Sequence, residues 1–168
     1  MSIDLTNLLQ AQLCSLSNPL SETDLRSLAL LTSSSLLIDA LDLIDKGQVS
    51  QITLPNGQHL YQVAGTSGAY SVHPNLPQSP RSLSDSFDQP HHQQLGYCPC
   101  PAFSYSVFKA DHQVICKHLL AVKLAQHLGA PPLVKKEMGL RWLAAFATGF
   151  AVPVQQGGAA GMGGGGGA

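Results

Sequence analysis

An α+β fold follows from three observations. The hydrophobic period is helical as far as Gly47, it changes to alternation around the turn Pro55-Asn56-Gly57-Gln58, and Cys98, Cys100, Cys116 and His118 then form a C-x-C and a C-x-H pair. Three thiols and an imidazole make a complete tetrahedral set for one zinc ion. The expected architecture is N-terminal helices over 1–47, a small antiparallel sheet over 48–72, a flexible loop over 73–96, and a zinc-stabilised finger over 97–128. A C-terminal helix over 129–150 and a disordered glycine-rich tail over 151–168 complete it. With 168 residues, 44% of them hydrophobic, the chain can bury one small core with tails or a core plus a metal module.

Ile3, Leu5, Leu8, Leu9 and Leu13 recur at nearly helical spacing, and Asn18-Pro19 ends that helix. Cys14 lies within it, far in sequence from other ligand types, and is expected to be a small buried side chain. Ser21-Glu22-Thr23-Asp24 has the form of a capping box and starts a second helix through Leu25, Leu28 and Leu31. Ser33-Ser34-Ser35 ends it or begins a third. That helix carries Leu36, Leu37, Ala40, Leu41 and Ile44 on one face, Asp39, Asp42 and Asp45 on the other, and stops at Gly47. The three aspartates read as a solvated face, not a metal cluster.

Val49 to Leu54 and Leu60 to Ala64 flank Asn56-Gly57, a dipeptide that accepts the positive φ of tight hairpin turns, and Ala69 to Val72 supplies a third strand. The 73–96 stretch is rich in Pro, Ser, Gln and Asp, with too few large apolar residues to offset its ordering entropy. His91 and His92 lie there and read as solvated, since the ligand set is complete without them. After Leu128, Leu133 to Phe146 suggests a further amphipathic helix with Lys135, Lys136 and Arg141 against Val134, Met138, Trp142 and Phe146. Trp142 suits either a partner interface or the chain's own core.

The spacing of the ligands constrains their setting. In extended backbone, side chains two apart share a face, so Cys98 and Cys100 can grip one ion with Pro99 turned away. In a helix two residues are about 200° apart, so Cys116 and His118 can converge only at a helix entrance. Leu119, Leu120, Val122, Leu124 and Leu128 follow at once and read as that helix. The fifteen residues between the pairs suggest a weak strand through Phe103, Tyr105 and Val107, a polar turn from Lys109 to Gln113, and a return into Cys116. Paired disulfides would leave the histidine unexplained, and no secretory leader is evident. Four strong ligands leave no position for a reactive water, so the expected zinc is single and structural.

The C-x-C, gap and C-x-H pattern, with CPCPAFSYSVF and ICKHLLAVKLAQ around it, resembles the SWIM-type zinc-finger family. Together with SSSLLIDALDLIDKGQVSQITLPNGQHLYQVAG upstream, it is similar to the small SWIM subunits of Shu-type recombination complexes, over about Ser33 to Leu128. The resemblance implies Cys98, Cys100, Cys116 and His118 as ligands, with Ala102, Phe103 and Leu119 to Val122 as packing around the metal. It further implies a RecA-fold ATPase-like partner, a RecA-family recombinase whose filaments on single-stranded DNA are promoted or stabilised during homologous recombination, and a nuclear location, and it leaves open whether this chain touches the DNA itself. Other SWIM fingers belong to transposases and ubiquitin ligases, whose RING or nuclease domains would not fit in this chain.

Charge divides along the sequence. Residues 1–97 hold three basic against eight acidic side chains, −5, and residues 98–168 hold six against two, +4. The charged fraction, 11%, is low against a usual quarter, which favours a surface that a partner covers. The basic finger half suggests an alternative, a free-standing nucleic-acid-binding finger in which Lys109, Lys117 and Lys123 contact phosphates. No phosphate-cradling glycine loop, nucleophile elbow or open metal site is evident, so no enzyme is expected. Nor does any apolar run reach the eighteen residues a membrane helix needs.

Overall fold

The computed structural model describes residues 3–65, 68–74, 95–129 and 134–137. Three helices come first: α1 (Ile3–Cys14), α2 (Glu22–Thr32) and α3 (Ser34–Asp45). The capping box at Ser21 is present in both directions: Asp24 N–H donates to Ser21 Oγ at 3.1 Å and Ser21 N–H donates to Asp24 at 3.0 Å. The same carboxylate accepts from the Ser17 N–H at 3.2 Å and from the Ser17 hydroxyl, so it pins the α1–α2 connection as well as the helix start. These hydroxyl and amide donors hold Asp24 well below the usual carboxylate range, the Ser17 hydroxyl foremost. A carboxyl depressed in the folded state stabilises the fold above its unfolded pKa and ceases to do so as pH falls. The urea midpoint is therefore expected to fall progressively as pH drops below about 5 and on through the strongly acidic range, and Asp24→Asn should start lower at neutral pH and lose less on acidification.

Ser33, at φ 128°, ends α2 and caps α3 by accepting the Leu36 N–H at 3.3 Å. Helix α3 buries Leu36, Leu37, Ala40 and Ile44 and exposes Asp39, Asp42 and Asp45, as its pattern predicts, but Leu43 is buried where Leu41, expected on that face, is half-buried. Gly47 follows at φ 62°. Cys14 departs from expectation: it is exposed. At about 100° per residue it lies ~140° around α1 from the fully buried Leu9, on the side that faces solvent.

Strands β1 (Val49–Thr53), β2 (His59–Gly65) and β3 (Gly68–Val72) form an antiparallel meander, in register from Val49↔Val63 to Thr53↔His59 and from Tyr61↔Val72 to Gly65↔Gly68. Gly57 takes the turn's positive φ, 78°. A fourth strand, β4 (Val134–Glu137), runs parallel to β1 on its other side and completes the order β3-β2-β1-β4. This corrects the expectation of a helix beginning at Leu133. The open edge of β1 offers backbone groups that pair with any extended segment, and Pro131-Pro132 just upstream biases the chain toward extension. Pairing far along the sequence outweighs a weak local period. The expected helix beyond Glu137, Trp142, Phe146, the glycine tail, His91 and His92 lie outside the described residues.

Helix α4 (Lys117–Leu128) lies between α3 and the sheet, with Leu119, Leu120, Ala121, Val122 and Leu124 fully buried against Val49, Val63 and Val72. Each leucine so removed from water contributes about 1.5–3 kcal/mol. Gln126 Nε2 donates to Tyr61 Oη at 2.8 Å, which ties β2 to the far end of α4. No helix among the described residues is long and apolar enough to cross a membrane.

Candidate metal centre

The knuckle begins where the sheet ends. His73, just past β3, exchanges backbone hydrogen bonds with Tyr97 at 2.9 and 2.8 Å, which brings Cys98 to the sheet. Close approach requires Gly96: it sits at φ 142°, and a Cβ there would lie 2.5 Å from the His73 carbonyl oxygen and 2.9 Å from Leu119. Gly96→Ala is expected to cost about 1–3 kcal/mol from backbone strain alone, readable as a lower urea midpoint. Cys98 and Cys100 turn inward, both buried, and Pro99 is exposed, the alternation that extended backbone dictates.

After Cys100 the chain does not continue as a strand. Pro101 and Ala102 are helical and lead into a π-helical turn, Phe103–Lys109, with the Ala110 N–H donating to the Tyr105 carbonyl at 2.8 Å. The cause lies in the ligand itself. Cys100 acts as a helix cap, its Sγ accepting the Phe103 N–H at 3.3 Å and its carbonyl the Ser104 N–H at 3.1 Å, and Pro101 is preset for the first helical position. The expected inward alternation therefore fails: Phe103 is buried with its ring edge-on to Tyr97 at 5.7 Å, while Tyr105 is 63% exposed. Ala102, expected to pack near the metal, is also exposed.

The second pair sits at a helix entrance. Cys116 is the extended residue preceding α4, at ψ 164°, and His118 is the helix's second residue. Here the extended cap residue and the first turn direct both side chains to one point. One ligand atom from each of Cys98, Cys100, Cys116 and His118 lies within 4.8 Å of all the others, and all four residues are buried. Cys98 Sγ and His118 Nδ1 are 3.9 Å apart, near the ~3.6 Å that zinc–sulfur and zinc–nitrogen bonds of about 2.3 and 2.0 Å set between neighbours on a tetrahedron. The cysteines are free thiols. The group can hold one zinc ion and, with four protein ligands, gives it a closed structural shell.

The thiols are strongly interdependent. Cys100 is pushed far down, first by the Cys116 thiol and then by the Cys98 thiol, both donating to its sulfur. Cys98 is pushed up to about 12 and Cys116 further still, in each case first through the bond to Cys100 and with burial adding to it. A divalent cation is what allows all three to ionise together.

The three expected nucleic-acid contacts lie in different settings. Lys117 pairs with Asp39 on α3 at 3.2 Å, and Lys123 is partly buried, its ammonium pushed down by desolvation. Positions 117 and 123 also lie about 120° apart around α4. Lys109 is exposed at the end of the π-helical turn. Tyr70, read from sequence only as part of a strand, rests against the His118 ring with centroids 4.8 Å apart. No one-dimensional signal marks it, whereas a glycine two residues before the first ligand was a legible sign of close backbone approach.

Among curated proteins, the chain is 38% identical over 92 residues to zinc finger SWIM domain-containing protein 7 of Danio rerio, covering 55% of this chain and 53% of that protein. It is 39% identical over 92 residues to the protein of the same name from Mus musculus, covering 54% and 48%. To that of Homo sapiens it is 37% identical over 103 residues, covering 61% and 59%. The chain spans about half the length of the curated relatives it matches. No family model matches the sequence, and no solved structure matches it. These relatives agree with the SWIM-type resemblance that the ligand pattern carries.

Proposed function

We propose that this chain, with the ligand set and the relatives of a SWIM-type zinc finger, is a non-enzymatic adaptor subunit of a Shu-type complex that promotes or stabilises RecA-family recombinase filaments during repair of double-strand breaks by homologous recombination. Its location in the cell would be the nucleus. The observation that carries the reading is a buried Cys3His group that joins the end of the sheet to the first turn of α4, in a chain similar to proteins named for a SWIM domain. A closed shell of this kind provides shape, not reactivity. The surface supports a protein partner: a groove of about 310 Å³ between α2 and α3 is lined by Leu25, Leu37, Ile38 and Leu41, with Ile38 64% exposed and nearby Leu30 88% exposed. The partner on this reading is a RecA-fold ATPase-like subunit, and single-stranded DNA is reached through the assembly.

The free-standing nucleic-acid-binding finger is the second reading, favoured by exposed Lys109 and weakened by the engagement of Lys117 with Asp39 and the partial burial of Lys123. Co-purification from cells of the native chain beside a Cys116→Ser, His118→Ala version separates the two. The adaptor predicts zinc and a RecA-fold partner recovered with the native chain only. Zinc-loaded chain that carries nucleic acid, with a steep salt dependence and no such partner, would replace it by the second reading.

A further inference from the structure

We propose that Tyr70, seated on Gly65, is a positioning residue of the metal centre, fixing the His118 ring so that Nδ1 faces the three thiols. Tyr70 pairs across the sheet with Val63, and Gly65 is the next residue of β2 on the same face. At Gly65 a Cβ would lie 2.7 Å from Tyr70 Cε2 and 3.2 Å from Cδ2, so the ring occupies the space that a side chain on β2 would fill. Lying along the strand, it reaches the first turn of α4, where its centroid is 4.8 Å from that of His118 at an interplanar angle of 43°. His118 is 5% exposed and presents Nδ1 to Cys98 Sγ at 3.9 Å.

A ligating histidine ordinarily has its ring fixed by a hydrogen bond from its second nitrogen. Among the described residues the hydrogen bonds of the His118 ring run to the sulfurs of Cys98 and Cys100, on the ligand side. Rotation about χ2, a soft torsion, would exchange Nδ1 for the Cδ2 carbon and break the shell. The Tyr70 ring opposes that rotation by occupying the space beside the imidazole. The phenol hydroxyl takes no part, so the argument requires a flat ring at position 70 and nothing at 65 to lift it.

The test uses the full chain loaded with Zn(II) or Co(II), with affinity measured by competition against a chromophoric chelator and the shell read from the Co(II) d–d bands. Tyr70→Leu is expected to weaken zinc binding by about 10–100-fold, the range for loss of a group that orients a metal ligand, and to alter the band envelope. Tyr70→Phe is expected to restore both. Gly65→Ala, which changes no other residue but lifts the Tyr70 ring, should shift both in the same direction as Tyr70→Leu and carries the test if the leucine variant does not fold. Val63→Ala, which removes buried side chain beside Tyr70 without touching the imidazole, should lower the thermal midpoint and leave the cobalt spectrum native. A native spectrum and affinity in both Tyr70→Leu and Gly65→Ala would overturn the proposal, as would an equal change in Val63→Ala.

Discussion

Replacing Cys116 with serine is expected to reduce bound zinc from about one per chain to a small fraction of that, and to unfold the finger with it. The loss is that of the metal: Cys116 supplies one of four ligands, while serine is a favoured residue at the extended position from which α4 begins. Structural zinc contributes an apparent 10–16 kcal/mol in finger peptides, roughly the whole stability of a small domain, so the remaining contacts cannot carry its loss. The effect should spread beyond the finger, because α4 also fills the space between α3 and the sheet. Metal content and near-ultraviolet circular dichroism of the purified chain report the loss of zinc and the loss of fold. A variant that kept a native spectrum and a native thermal midpoint without zinc would show that the metal has no structural role.

The second large effect is on zinc affinity as a function of pH. Cys98 and Cys116 are pushed up and Cys100 is pushed down, so the raised thiols keep their protons at neutral pH until zinc takes them as thiolates. Zinc binding must displace about two protons, so the apparent association constant should fall by roughly a hundredfold for each unit that pH drops below neutrality. The sign follows from groups whose pKa is raised without metal and abolished with it: protons compete with the cation, and acid wins. Chelator competition at a series of pH values gives the slope directly, and proton release can be followed in weak buffer. A slope near zero would mean that the thiols are already ionised before metal arrives.

Features coded by neighbouring residues were legible in the sequence. The Ser21–Asp24 capping box, the Asn56-Gly57 hairpin and the stop at Gly47 each depend on a few adjacent residues, and each forms. The placement of Cys116 and His118 at a helix entrance was legible for another reason, since two-residue spacing excludes a helix interior. Features set by distant partners were not. Strand β4 depends on the unfilled edge of β1. The π-helical turn is local but was not legible, because Cys100 serves as cap as well as ligand and its ligand spacing hides the second role. The lysines show the same limit: their sequence gives charge, but the surface pairing of Lys117 with Asp39 on α3 and the partial burial of Lys123 come only with the fold. Tyr70 reaches His118 only once β3 and α4 are packed together.

X-ray absorption at the zinc edge on the full chain tests the closed Cys3His centre most directly. Three sulfurs at about 2.3 Å and one nitrogen at about 2.0 Å, with no oxygen neighbour, are expected. A shell of fewer sulfurs completed by oxygen would contradict a closed structural site and reopen the question of chemistry at the metal.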